Sequence, residues 1–294
     1  KQKPFATLPR AQEAARQARA QGDKQVRVTV RGGVYYLAKP LALEPQDSGL
    51  TLEGATGEGV VLSGGRRVMG WKPWRGKILQ ADLSKLDLPD LNFRELYHDG
   101  KLQPWARVPN FDPKHPRTGG FLQNAGVAEA NTKTKFMYRE GDLHPEKWAH
   151  PERAWMMFHD SLNYETQYCP VKSLDAANRI VEAERGVYVL SKGNPFYVCG
   201  ILEELDAPGE WCADPDSKTL YFWPPDLGRR SDAGRRSPDR APQTTDRSPS
   251  DRGDLRSDRR RGQETRAELR LSGEVVIPAL QSALISLLQQ RDDA

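Results

Sequence analysis

The last aromatic residue of this chain is Trp223, and all 24 of its Phe, Trp and Tyr residues lie at or before that position. The 71 residues that follow contain no Lys, Met or Cys while holding 14 Arg. A chain builds a core only where large apolar side chains are available to repay the entropy of ordering it. Of the 294 residues, about 225 therefore belong to a part that can fold around a core. Two kinds of sequence are joined at residues 223–225, and fold and function have to be read from the first.

Apportioning the charge leads to the same division. The net charge is +4, but residues 228–266 carry 12 Arg against 7 Asp and Glu, so the rest of the chain sums to −1. The folding part thus offers no electrostatic footprint for nucleic acid or an anionic membrane, and neither is expected as a partner. Cys169, Cys199 and Cys212 are odd in number and lack CxxC spacing. They read as small buried hydrophobes, with one disulfide as the alternative, and provide no zinc site. The most apolar stretch, 275–288, is shorter than the roughly 20 residues a membrane helix needs and is interrupted by Pro278, Gln281 and Ser282. The chain begins at Lys1 with no signal peptide, so its native N-terminus is expected upstream.

Thr7, Pro9 and the alanine-rich run 10–21 ending at Gly22 predict a first helix with Leu8, Ala11, Ala15 and Ala18 on one face. From Val26 the period becomes two: Val26, Val28 and Val30 alternate with polar residues, and Gly32-Gly33 leads into Val34-Tyr35-Tyr36-Leu37. Further strands are expected at Leu41-Ala42-Leu43, Leu50-Thr51-Leu52 and Val60-Val61-Leu62. Val28-Thr29-Val30-Arg31-Gly32 and Leu50-Thr51-Leu52-Glu53-Gly54 repeat one pattern at an offset of 22 residues, the rung length of a right-handed parallel β-helix; a β-sandwich is the alternative. After Ser63-Gly64-Gly65 the pattern changes to antiparallel signals. These are Gly70 to Trp74, Phe93 to Lys101 closing on Asp99-Gly100, a strand over 182–190, and a hairpin from Trp211 to Trp223 around Asp214-Pro215-Asp216-Ser217.

Several motifs in order resemble one family: Pro4-Phe5-Ala6-Thr7-Leu8, Val30 to Leu37, Pro45-Gln46-Asp47-Ser48-Gly49, Leu62-Ser63-Gly64-Gly65, Arg107-Val108-Pro109-Asn110, Leu202 to Trp211 and Leu220 to Pro225. Together they resemble the N-terminal portion of secreted bacterial right-handed parallel β-helix glycoside hydrolases, the fucosidase/xylanase type called family 141, with its inserted β domain. The resemblance covers about residues 1–225. It implies a mainly β fold with an N-terminal capping helix and first β-helix coils over 1–70 and an inserted antiparallel β domain over 71–225. A disordered Arg/Ser/Asp/Pro-rich segment over 226–267 and a short strand and helix of unassigned role over 268–294 complete the division. It further implies a polysaccharide or oligosaccharide substrate of plant or algal origin, a secreted or periplasmic location, a monomer, no cofactor, and catalytic carboxylates on later coils that this chain lacks. A non-catalytic carbohydrate-binding or structural module and a polysaccharide lyase are the alternative readings.

The segment 228–266 repeats Ser, Asp, Arg, Pro and Gly in a loose rhythm with Ala233, Ala241 and Leu255 as its apolar residues. Its bias suits a frame-shifted reading of a GC-rich gene; a genuine linker and a basic nucleic-acid segment are the other readings, the last lacking aromatics for base stacking. Beyond it, Leu269 and Leu271 alternate as in a strand, and 279–288 reads as an apolar helix.

Glycoside hydrolysis requires two carboxylates. Glu203, Glu204, Asp206, Glu210, Asp214 and Asp216 are the acids of the motif-bearing stretch. Asp214 and Asp216 have turn chemistry, and no pair stands out as catalytic. His144-Pro145-Glu146 and His150-Pro151-Glu152 read as the starts of short helices rather than a metal site. Trp105, Trp148 and Trp155 can stack on sugar faces or pack beneath the inserted domain. The substrate-side candidates are Arg107 and Asn110 from the shared loop motif, with Trp105 and Glu210.

Overall fold

The computed structural model describes residues 4–86, 88, 91, 93–162, 164–225 and 274–278. The expected disorder of 226–267, the strand at Leu269 and Leu271 and the helix over 279–288 lie outside the described residues. The described chain is mainly β, with one α-helix and several antiparallel sheets.

Helix α1 spans Leu8–Ala20, with Pro9 in its first turn and Arg19 in its last. Leu8, Ala11 and Ala15 are buried as the pattern predicts, while Ala18 is half-buried. Thr7 occupies the N-cap without a side-chain cap bond; the helix is tied down instead by side-chain bonds to Asp47. Its carboxylate takes a hydrogen bond from Gln12 Nε2 at 3.1 Å and two from Arg16, at 2.8 and 2.7 Å. That guanidinium holds Asp47 well below the usual carboxylate range.

Four short strands follow: β1 (Val26–Val30), β2 (Gly33–Tyr36), β3 (Leu50–Gly54) and β4 (Val60–Ser63). β1 pairs with β3 and β2 with β4, both parallel. Val26 faces Leu50 and Val28 faces Leu52, a spacing of 24 residues rather than the 22 read from the repeat. Gly33 faces Val60, a spacing of 27. A two-residue slip leaves every side chain on its original face, so alternation alone does not separate 22 from 24. Leu41-Ala42-Leu43 forms no strand.

The remaining strands of the described residues pair antiparallel, with one isolated parallel bridge between Trp105 and Trp211. β5 (Gly65–Val68) is followed by β6 (Lys72–Arg75) and β7 (Ile78–Asp82). β8 (Leu96–His98) and β9 (Lys101–Gln103) form a hairpin. Asp99 at φ 49° and Gly100 at φ 71° make its two-residue turn, a geometry that suits an Asp-Gly pair. β10 (Arg107–Val108), β11 (Leu122–Gln123), β12 (Gly126–Val127), β13 (Lys135–Met137), β14 (Trp155–His159), β15 (Thr166–Asp175), β16 (Ile180–Ala183) and β17 (Pro195–Cys199) build an eight-stranded sheet. The strand expected over 182–190 is β16, which ends at Ala183. β18 (Trp211–Asp214) and β19 (Thr219–Phe222) form the last predicted hairpin and join β7 and β6 in a four-stranded sheet.

A final strand, β20 (Val275–Pro278), arrives from beyond the arginine-rich segment. It inserts between β5 and β8, so the chain does return to the fold after Trp223. Val275 and Ile277 are buried with Val68, Phe93, Leu96, Trp211 and Phe222. Gly65 is required opposite it, because a Cβ there would lie 2.3 Å from Val276 Cγ1 and 2.9 Å from the Ile277 carbonyl oxygen. The largest core lies under one face of the eight-stranded sheet, where Phe136, Met156, Phe158, Val181, Phe196 and Val198 are fully buried. Each such side chain contributes roughly 1.5–3 kcal/mol through burial. Cys169, Cys199 and Cys212 are free and buried, as small hydrophobes are.

Candidate functional site

Alternation decides what the other face of the eight-stranded sheet presents. On β14, Met156 and Phe158 point to the core, so Trp155, Met157 and His159 point away from it. Met157 lies opposite Tyr168 of β15 and Tyr197 of β17, which places both tyrosines on that same outer face. Arg107 of β10 faces Cys199 at the sheet edge. The β8–β9 hairpin and the segment after it close over this corner. The result is a cleft of about 380 Å³ lined by Arg94, Glu95, Gln103, Trp105, Arg107, Tyr168 and Tyr197 among others.

The chemistry of the cleft is aromatic and cationic. Trp105 packs between Trp155 and Trp211, with ring centroids 6.1 and 5.3 Å away, and Trp155 lies 5.5 Å from Tyr168. The Arg94 guanidinium sits over the Trp155 ring at 3.8 Å and that of Arg107 over Tyr197 at 3.5 Å, each a cation–π contact. Arg107 also donates to the carbonyls of Pro109 at 2.9 Å and of Gly120, anchoring the long loop that leaves β10. Two donors are left over: Arg94 Nε and Trp105 Nε1 are buried and have no hydrogen-bond partner. Burial pushes the Tyr197 hydroxyl up to about 12 and the Cys199 thiol up to about 12, so both are neutral near pH 7 and Cys199 has no nucleophilic character.

The structure brings some of the four sequence candidates together. Trp105 and Arg107 line the cleft. Glu210 lies beneath it rather than in it, 1% exposed, accepting from the backbone N–H groups of Asp206 and Ala207 at 3.2 and 3.1 Å. Burial pushes its carboxyl up to about 8, and its Oε1 has no partner. Asn110 is exposed on the loop and is not among the cleft-lining residues. Sequence reasoning missed Arg94, Tyr168 and Tyr197; the two tyrosines were signalled by alternation on β15 and β17, whereas Arg94 lies just before β8 and carried no such signal.

The remaining acids and histidines have local partners. Asp214 accepts from Ser217 Oγ at 2.7 Å and Arg153 Nη1 at 2.8 Å, and Asp216 takes the other arm of Arg153. Trp148 is buried in the core and donates to Glu204 at 2.6 Å, while Ala149 N–H reaches Glu203 at 3.3 Å. Burial raises the Glu204 carboxyl. His144 and His150 bond to Glu146 and Glu152 at 3.1 and 2.9 Å at the starts of two short 3-10 helices, Pro145–Lys147 and Pro151–Arg153. Among the described residues no group of three or more His, Cys, Asp or Glu is placed to hold a metal ion, and no helix is long and apolar enough to cross a membrane. The cleft lining contains one carboxylate, Glu95, whose Oε2 accepts from Tyr97 at 2.9 Å. A larger hollow of about 640 Å³ lies between α1 and residues 34–41, but Lys39 is its one charged lining residue and no orphaned donor opens there.

No protein-family model and no curated protein matches the chain. Among solved structures it is similar to one described as a glycoside hydrolase, with a TM-score of 0.63 and 22% identity. The match covers 94% of this chain and 43% of that one, so the chain spans less than half the length of its structural neighbour. At this identity the likeness is one of fold.

Proposed function

We propose that this chain is part of a carbohydrate-active protein, a glycoside hydrolase built on a right-handed parallel β-helix, in which α1 and β1–β4 begin the coil. In this reading residues 71–225 are an inserted domain that presents saccharide to a catalytic centre on later coils. The observation that carries it is the cleft. Trp105 offers a broad apolar face suited to a pyranose ring, and Tyr168, Tyr197 and two guanidiniums surround it with polar edges. The description of the structural neighbour as a glycoside hydrolase supports the carbohydrate-active part of this reading, and the two parallel strand pairs support the coil. Arg107 shapes the loop that bears Asn110, which reaches substrate from the rim. Glu210 acts as a positioning residue, its largely protonated carboxyl fixing the backbone beneath Trp105.

Hydrolysis needs an acid and a second carboxylate at a defined separation, and Glu95 is the one carboxylate lining this cleft. This favours binding without turnover by the chain itself, and it equally motivates the second reading, a non-catalytic carbohydrate-binding module. The test is calorimetric titration of the whole chain with plant-wall and algal oligosaccharides beside assays on aryl glycosides. Binding that Trp105→Ala weakens at least about tenfold, with no release of aglycone, is the expected outcome. Turnover would overturn the placement of the catalytic carboxylates elsewhere, and absence of binding by every saccharide would overturn the assignment.

A further inference from the structure

We infer that the ligand of this face is an acidic saccharide, its negative charge a uronate carboxylate or a sulfate ester, bound along the outer face of the eight-stranded sheet. The inference rests on the carbohydrate reading of the cleft and adds to it the charge and the path of the ligand.

Three observations carry it. The first is the pair of orphaned donors. Arg94 Nε and Trp105 Nε1 are both buried without a partner, and both residues line one cleft. Leaving one such group unpaired costs about 1–3 kcal/mol, and native structures keep few of them. Donors left unpaired beside a cleft are satisfied when a ligand oxygen is brought to them, and an anionic oxygen does so best beside a guanidinium, whose fork matches carboxylate and sulfate geometry.

The second observation is charge. Among the described lining residues the cleft holds Arg94 and Arg107 against Glu95, and the Glu95 carboxylate is engaged by the Tyr97 hydroxyl. Arg94 and Arg107 are each stacked on an aromatic ring rather than paired with an acid. The Arg94 guanidinium, held flat by a ring and without an acid partner, keeps its charge available to a ligand, while the buried Arg107, donating to the Pro109 and Gly120 carbonyls, adds positive field from below.

The third is continuity. Arg107 also lies 5.6 Å from the Phe121 ring, and Phe121 lies 5.9 Å from Tyr197 and 6.0 Å from His159. Phe121 and His159 then line a second hollow of about 510 Å³ with Arg117, Gln123 and Thr166. Rings and cations thus alternate from Trp105 to Arg117 across one sheet face, which suits an extended chain of sugars whose apolar faces stack while their charged substituents meet arginines.

The test titrates the whole chain with three oligosaccharides of similar length: an oligogalacturonate, a sulfated galactan fragment and a neutral xylo-oligosaccharide. The expected result is at least about tenfold tighter binding of one or both acidic oligomers than of the neutral one, weakening as salt rises. Preference for galacturonate assigns the charge to a carboxylate, and preference for the galactan fragment assigns it to sulfate. Arg94→Gln should cost about tenfold for the acidic ligand and little for the neutral one. The exposed Arg117→Gln, which disturbs no packing, should cost about two- to threefold for the acidic ligand. Equal affinity for acidic and neutral oligomers, or an unchanged profile in both variants, overturns the charge assignment while leaving the carbohydrate reading standing. Failure of all three saccharides to bind overturns both.

Discussion

The two halves of the described molecule solve the burial problem differently. Residues 65–225 with β20 enclose three apolar clusters, every member of which lies at or beyond Val68. The strands of residues 26–63 enclose none: Val30 is the buried residue among them, while Val34, Val61 and Leu62 are 50, 52 and 45% exposed. β1/β3 and β2/β4 are two-stranded pairs, each with open edges among the described residues. Two-stranded parallel pairs with open edges can bury those edges only against other elements. Among the described residues the antiparallel part is therefore a finished body, and the parallel part is an open one that leaves apolar side chains exposed.

The largest expected effect exploits that contrast. Phe196→Ala in the finished part should cost about 3–5 kcal/mol, whereas Val61→Ala in the open pair should cost less than about 0.5 kcal/mol. Denaturant titration of both variants checks the pair. A large loss at Val61 would mean that the open strands are already buried in solution.

The next effect is a pH dependence confined to the finished part. The folded Glu210 carboxyl is raised to about 8 from 4.5, so the folded state binds the extra proton. Its contribution is full below about pH 4.5 and is lost as pH rises towards 8, at up to about 1.4 kcal/mol per pH unit. Glu210→Gln should flatten the stability profile between those limits, measured by thermal melting across that range.

A smaller effect tests whether β20 belongs to the finished body. Gly65→Ala forces a Cβ against Val276 and the Ile277 carbonyl and should cost about 1–3 kcal/mol. Gly59→Ala, at a site with open space and, like Gly65, without a positive φ, isolates the backbone cost of adding a methyl. Equal losses for the two would argue against close packing of β20 on β5.

The smallest effect lies in the parallel part and has the opposite sign with pH. Arg16 depresses the Asp47 carboxyl, so its contribution is present above the ordinary carboxylate range and disappears as pH falls through the folded value. Asp47→Asn should loosen α1 at neutral pH and change little in strong acid, followed by helical circular dichroism.

How much of this was legible follows the range of the interactions. The Asp99-Gly100 and 214–217 turns were read correctly because turn chemistry is local. Buried Cys169 and Trp148 followed from residue type. The 24-residue register was missed because a slip of two residues conserves the alternation, and Leu41-Ala42-Leu43 looked like a strand with no partner available to make it one. β20 was invisible as a central strand because its partners β5 and β8 lie some 180–210 residues earlier. The cleft was half visible: Arg107 sits in a recognisable motif and Trp105 two residues before it. Arg94, Tyr168 and Tyr197 come from three other segments; sheet pairing through β14 brings the tyrosines together, and Arg94 reaches them by packing over Trp155.

The contrast between a finished body and an open pair of parallel sheets is tested most directly by native-state hydrogen exchange on the whole chain. Amides of β14, β15 and β17 should exchange only through global unfolding, with those of β1–β4 at least roughly a hundredfold faster. Equal protection of the two sets would contradict it, because the parallel strands would then share the core that this structure gives to the antiparallel domain alone.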